Sequence, residues 1–372
     1  MNTTDAGAPA AERPPLVSVL VPIYNVERYL DECLASLAAQ TFTHFEAICI
    51  NDGSTDGSRD IIQRYMDADP RFRVIDKPNS GYGASMNRGL AEARGDFIAI
   101  LESDDFMEPA ALEKLHTAIT KHDADVAKAN FFFYWSIPTP RDEFFEIFRP
   151  DQCDRPVKPA DDLGLFHAKP SIWSAMYRRS FLTENGIDFL ETPGASFQDL
   201  SFTFKVWASA RRVTYVYDAL VHYRQDNENS SVNSMGKVNA VFVEYDEIDR
   251  WLAEHPDQRE LFASTKTAMM YDSCIWHYKR VAPQHKVELL TLARTALLAD
   301  QAAGTLDIRM LEPWKVLGMR HIMLSPAGWH REEMARGRTP RSLAAGAVRN
   351  FREGGVRKVV EVGRRKLREG LS

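Results

Sequence analysis

The 372-residue chain is long enough for one large domain with an appendage or for two domains, and 44% hydrophobic with 26% charged residues is the composition of a folded globular protein. That balance excludes a mainly disordered chain, and a formal net charge of −6 excludes a global attraction to nucleic acid. Cys33, Cys49, Cys153 and Cys274 are too scattered for a zinc knuckle or a disulfide framework and are expected as reduced thiols.

Residues 1–15 lack the basic start and apolar run of a secretory leader and read as a disordered tail. No uncharged apolar run approaches the roughly 20 residues that span a bilayer, so a cytoplasmic protein is expected. VSVLVPIYN (17 to 25) has the continuous β-branched character of a strand buried on both faces. A helix follows, with Leu30, Cys33, Leu34 and Leu37 on one face. FEAICIN (45 to 51) is the second strand, and NDGSTDGS a loop of turn and cap residues. Ile61, Ile62, Tyr65 and Met66 mark the next helix, RFRVIDK the third strand, GYGASMNRGLAEA a glycine-started helix and DFIAILE the fourth strand. This alternation predicts an α/β unit with a mainly parallel, doubly wound sheet, whose ligands bind beyond the carboxyl ends of the strands.

PAALEKLHTAI (109 to 119) predicts a helix with Leu112, Leu115 and Ile119 inward, and ADVAKANFFFYW a further strand. From 136 to 170 repeated prolines predict loops and one short helix. FQDLSFTFKVWASARR reads as a helix and VTYVYDALVHYR as a strand pair or one extended segment. Beyond residue 236 the pattern turns helical, and a domain boundary is expected there.

Three of the early strands end in polar clusters: PIYN, NDGSTDG and ESDD. In a parallel sheet all three share one edge. The last crowds Glu102, Asp104 and Asp105 together, and like charges so close call for a divalent cation with oxygen ligands. Mg2+ or Mn2+ held by one or two carboxylates is a common grip on a substrate diphosphate.

In this order and spacing, VSVLVPIYN, NDGSTDGS, GYGASMNRGL and ESDDFMEP resemble family 2 of the glycosyltransferases, enzymes of the GT-A fold, over residues 16 to 231. The resemblance implies a nucleotide-sugar donor, inversion at the anomeric carbon, and Mn2+ or Mg2+ on a DxD-type motif. It implies that Pro22, Tyr24 and Asn25 line the nucleobase pocket and that Asp52 accepts the base imide hydrogen. Asp104 and Asp105 would serve the metal and the ribose-diphosphate, Ser103 is a further donor-binding candidate, and Glu102, where the family more often has Asp, would reach the ribose or retune the metal site. Asn87 is a further donor-binding candidate and Arg88 a weaker one, because Met86 replaces the family's arginine. Tyr24 and Asp52 also read as a strand-end aromatic and a turn residue.

An inverting transfer needs a carboxylate to deprotonate the acceptor hydroxyl. GASFQDLSFTFKVW resembles the family's Glu-Asp segment, with Gln198 in place of Glu, which makes Asp199 the expected base; an N-cap role for it is compatible. HYRQDNENSSVNS resembles the segment that closes over the diphosphate, with Arg224 at the phosphates, Ser230 and Ser231 as hydrogen-bond donors, and Asp226 where a histidine is frequent. His222 could compensate for that change. Trp173 reads either as an acceptor-stacking aromatic or as core.

The C-terminal helices would pack on the catalytic domain or on another subunit, making a homo-oligomer. The stretch from Arg349 to Arg368 holds eight basic and two acidic residues interleaved with valines, and reads as a contact to an anionic membrane surface or as a solvated basic tail. The expected organisation is a tail (1–15), a GT-A catalytic domain (16–235) and a helical region (236–372). The expected function is transfer of a sugar, UDP-linked for preference, to a glycan or lipid-linked acceptor in cell-surface polysaccharide or glycoconjugate synthesis. The alternative is a non-catalytic nucleotide-sugar-binding or glycan-assembly protein, suggested by Glu102, Met86, Gln198 and Asp226.

Overall fold

β1 (Val17–Ile23) is buried along its whole length, as the absence of any polar alternation requires. α1 (Glu27–Ala38) turns Leu30, Cys33, Leu34 and Leu37 inward, and β2 (Phe45–Asn51) is again buried throughout. α2 (Ser58–Ala68) buries Ile62 but leaves the rest of its expected apolar face partly open. β3 (Phe72–Asp76), α3 (Tyr82–Glu92) and β4 (Phe97–Ile100) complete the first half. The coordinates are a computed structural model describing residues 15–228 and 238–336. The expected N-terminal tail up to residue 14, Ser230, Ser231 and the basic stretch from Arg349 to Arg368 lie outside the described residues.

β5 (Phe106–Met107) leads into α4 (Ala111–Lys121), which buries Leu112, Leu115 and Ile119 as its period predicts. β6 (Val126–Trp135) then folds back into β7 (Arg141–Phe145) as a hairpin, with Phe131 opposite Phe145. The proline-rich stretch expected to hold loops and a short helix thus also carries β7 and β8 (Pro156–Val157), besides short 3-10 turns. β9 (Ala175–Arg178), α5 (Arg179–Glu184), α6 (Gln198–Ser209) and β10 (Val213–Arg224) follow. β10 is one strand rather than a pair. Its register against β6 slips between Val216 and Ala219 and again before His222, a bulge that leaves Asp218 exposed.

The sheet order is β3-β2-β1-β4-β9-β6-β10-β5, with β7 beside β6 and β8 beside β10. β1 to β4 are mutually parallel, as are β6 and β10. β9 runs antiparallel to both β4 and β6, so the two parallel blocks point the same way. The carboxyl ends of β1, β2, β3, β4, β6 and β10 therefore share one edge.

At the opposite edge Glu46 ties the strands together. Its carboxylate accepts from Ser18 Oγ at 2.7 Å, Arg73 Nε at 2.8 Å and Arg94 N at 2.9 Å, joining β1, β2, β3 and the turn before β4. Burial works against its charge, but these donors bring it down to about 2.

The chain forms two compact units, residues 1–273 and 274–372. In the first, α7 (Ala240–Glu254) packs on α6 and buries Glu244, which burial and the charge of Asp199 push up to about 8. α8 (Pro256–Tyr278) carries the division, between Ser273 and Cys274, near its C-terminal end. In the second, α9 (Lys286–Ala302), α10 (Pro313–Leu324) and α11 (Pro326–Arg336) pack around Leu290, Leu297, Met319, Ile322 and Trp329. No helix among the described residues is long and apolar enough to cross a membrane. Cys33, Cys49 and Cys274 are buried free thiols, and Cys153 is a partly exposed one.

Candidate active site at the carboxyl edge of the sheet

Where β1 leaves the sheet, Pro22 is buried, Tyr24 stands half exposed, and Asn25 turns into the left-handed region at φ 52°. Asn25 Oδ1 accepts from Thr55 N at 2.8 Å and its own N–H donates to Ser54 Oγ at 3.1 Å, so the first two loops are stitched together. Asp52 is buried at the end of β2. Its carboxylate accepts from Ser80 N at 2.9 Å and Gly81 N at 3.0 Å, at the start of α3, and pairs with the Lys77 ammonium. A carboxylate there also suits the positive end of the helix. Asn87 does not face this edge loop: it donates to Phe189 O and Glu191 Oε1 and accepts from Phe189 N, fastening α3 to residues 189–191. Arg88 pairs with Glu92 on an exposed helix face.

The loop after β4 carries the acidic group. Tyr82 OH donates to Glu102 Oε1 at 2.7 Å, and Asn227 Nδ2 to Asp104 Oδ2 at 2.7 Å. Ser103 is buried between them in sequence. Asp105 is 1% exposed; its Oδ1 accepts from Arg224 N at 2.8 Å, while its buried Oδ2 has no hydrogen-bond partner. Burial raises Glu102 to about 8, with Asp104 and Asp199 adding to the shift. Burial likewise raises Asp104 and, helped by the Asp104 charge, Asp105. A buried carboxylate oxygen without a donor, beside a second carboxylate, is a hard-oxygen site that fits a divalent cation. Among the described residues no three His, Cys, Asp or Glu side chains converge to hold an ion unaided, so such a cation would take its other ligands from substrate and water.

Arg224 lies at this loop, but its side chain is 2% exposed and turned inward. Its Nε donates to Asp104 O at 2.8 Å, Nη2 pairs with Glu32, and the guanidinium is flanked by the Tyr29 and Tyr134 rings at 4.8 and 4.9 Å. The geometry makes Arg224 a clamp on the acidic loop. Asp226, in the place of the expected histidine, accepts from Ser136 N and Oγ at 2.7 Å. His222 does not stand in for it: its ring nitrogens lie 2.9 Å from Glu108 and 2.7 Å from Asp142.

Asp199 is the second residue of α6, whose N-cap is Phe197 at φ 60°, so it lies in the first turn and is not the cap. Gln198 fixes the approach by donating to Thr192 Oγ1 at 2.8 Å and accepting from Ser196 N. Burial lifts Asp199 to about 6, while Lys169 and Lys128 oppose the rise. Lys128 is a buried ammonium held by Ser171 O at 2.6 Å, Ser171 Oγ at 3.0 Å and Ser174 Oγ at 3.1 Å, and burial lowers it to about 7. Tyr223 lies in the field of both acidic groups, its hydroxyl raised first by burial and then by Asp105, Asp104, Asp199 and Glu102. Trp173 is core, packed on Phe131 and Tyr223. Sequence reasoning missed Tyr82, Lys77, Lys128, Lys169 and Tyr223. A lysine inside the apolar run VAKANFFFYW was the one available signal.

Residues 18–145, from β1 to the end of β7, match the family model for glycosyl transferase family 2. The protein named "Putative glycosyltransferase EpsH" of Bacillus subtilis (strain 168) is 36% identical over 214 residues, 56% of this chain and 61% of that protein. The uncharacterized glycosyltransferase YibD of Escherichia coli (strain K12) is 31% identical over 225 residues, 58% of this chain and 63% of its own length. The chain thus spans about three fifths of these relatives. The crystal structure of S. aureus TarS 1–349 superimposes with a TM-score of 0.60 at 20% identity, covering 87% of this chain and 92% of that one, and so shares the fold. The matched stretch contains β1 to β4 with the acidic loop at their common edge, so over residues 18–145 the chain is similar to glycosyl transferase family 2, and the GT-A-like architecture continues beyond that stretch.

Proposed function

We propose that the chain is a metal-dependent, inverting glycosyltransferase that moves a sugar from a nucleoside-diphosphate donor, UDP-linked for preference, to a hydroxyl of a glycan or lipid-linked acceptor. The observation that carries this reading is the pairing of two separate acidic features on one sheet edge. One is the Glu102 to Asp105 loop with its partnerless buried oxygen; the other is Asp199, alone at the start of α6. Two crystal structures of S. aureus TarS 1–349, described as complexes with UDP-GlcNAc and with UDP, share the fold and support a uridine donor here.

In this reading Pro22, Tyr24 and Asn25 border the base, and Asp52 accepts its imide hydrogen through lone pairs left over by Ser80, Gly81 and Lys77. Asp104 and Asp105 hold the cation, and Glu102 and Ser103 face the ribose and diphosphate. Mn2+ or Mg2+, when bound there, supplies a Lewis acid for the departing diphosphate. Arg224 acts on that step by fixing Asp104 and Asp105, and Asn87 by fixing the segment that leads to Asp199. Asp199 takes the proton of the acceptor hydroxyl while the oxygen of that hydroxyl bonds to the anomeric carbon. The bond from that carbon to the diphosphate oxygen breaks on the opposite face, and the nucleoside diphosphate leaves with the electron pair. The catalytic domain takes in residues 16–235, and of the helices that follow α7 and most of α8 belong to the same compact unit; the protein works in the cytoplasm at the inner face of the membrane in cell-surface polysaccharide or glycoconjugate synthesis.

Donor turnover with Mn2+, measured for the parent and Asp199→Asn, tests the reading. A catalyst loses turnover by about 10²–10⁴-fold in the variant while donor affinity stays. A parent that binds donor without turning it over overturns the proposal in favour of a binding protein. Thermal shift against UDP-, GDP- and dTDP-sugars identifies the donor, since a ligand of the folded state raises its melting temperature.

A further inference from the structure

α10 has two apolar faces. Met319 and Ile322 are buried in the second unit, whereas Trp314, Leu317 and Leu324 are 64%, 70% and 81% exposed. At about 100° per residue these three fall within an arc of about 80°, together with His321 and next to the exposed Arg320. Ile308, just before the helix, is also exposed. Single exposed apolar residues are ordinary, but a Trp and two Leu aligned on one helix mark an interaction face.

Charge identifies the partner. Residues 313–372 contain 14 Lys and Arg against 5 Asp and Glu, a net +9, so the chain total of −6 leaves −15 on residues 1–312. We propose that the outer face of α10, with Trp314, Leu317 and Leu324, docks on the surface of an anionic lipid bilayer. Trp314 and the two leucines enter the boundary between headgroups and acyl chains, and Arg320 stays among the lipid phosphates. The basic residues that follow add long-range attraction, each worth most close to the surface and at low salt. The acidic remainder is repelled by the same surface, which confines adhesion to this part of the sequence. The inference deepens the membrane-side location proposed above and rests on it, but is independent of the transfer chemistry.

The full chain is sedimented with vesicles of phosphatidylcholine containing phosphatidylglycerol, and with phosphatidylcholine alone. The parent is expected to favour the anionic vesicles by about tenfold or more at low salt. The combined variant Trp314→Ser, Leu317→Ser and Leu324→Ser is expected to bind them at least about tenfold more weakly. Because all three side chains are exposed, its circular dichroism and melting temperature should match the parent, and so should its transfer to a soluble acceptor. Loss of vesicle binding with transfer intact supports the docking face. Absence of parent binding, or equal binding by the variant, overturns it. A fall in oligomeric mass of the variant, read by light scattering without a change in vesicle binding, also overturns it by assigning the face to a second copy of the chain.

Discussion

Asp199, the proposed base, illustrates how surroundings can suit a side chain to a task its residue type does not guarantee. An exposed aspartate is ionised far below neutral pH and is a feeble base, but burial at the start of α6 lifts this one to about 6, with Lys169 and Lys128 preventing a larger rise. The sign is direct: the competent form is the carboxylate, so turnover should climb as pH rises through about 6 and then level off. Replacing Lys128 by Met removes one opposing charge and should move that limb to higher pH, read from kcat against pH at saturating donor. Asp105→Asn removes the partnerless acceptor and should abolish the Mn2+-dependent rise in melting temperature while Arg224 N keeps an oxygen to bond. The candidates at strand ends were legible because turn residues and carboxylates cluster where apolar runs stop. Arg224 was half legible: its position was readable, but whether a guanidinium points to a ligand or to Glu32 and Asp104 O depends on tertiary neighbours distant in sequence.

Among the elements, β1, β2 and α1 were readable because burial on both faces, or on one helical stripe, leaves an unambiguous period. β7 and β9 were not. β7 is a polar edge strand, Arg141–Phe145, fixed by its hairpin with β6, and β9 is too short for a period to show. Glu46→Gln, at the edge remote from the site, breaks a buried charge network and should cost about 3 kcal/mol in denaturant unfolding, with donor affinity retained. Because the Glu46 carboxyl is lower in the folded than in the unfolded chain, its contribution is full above about 4.5 and is lost as pH falls toward 2. Gly83 lies on α3 where a Cβ would sit 2.2 Å from Leu190 O, a clash with backbone. Gly83→Ala should therefore push α3 away from the segment that leads to Asp199, lowering both stability and turnover.

For the whole molecule, buried acids set the pH response. Asp199 near 6 and Glu244 near 8 hold protons in the folded chain that they release when unfolded, so between about pH 4 and 8 stability declines as pH rises. Melting temperature measured across that range should peak on the acidic side of neutrality, and an increase toward pH 8 would contradict the burial of these groups. The sheet itself has a further property. β9 meets β4 and β6 through three residue pairs on each side, and in the reverse direction, so it is a narrow mortar joint between two courses of parallel strands. Insertions or shifts in the course that carries β6 and β10 need not propagate across that joint. On the proposed reading, acceptor preference can diversify there over evolutionary time while the course proposed to face the nucleotide keeps its alignment.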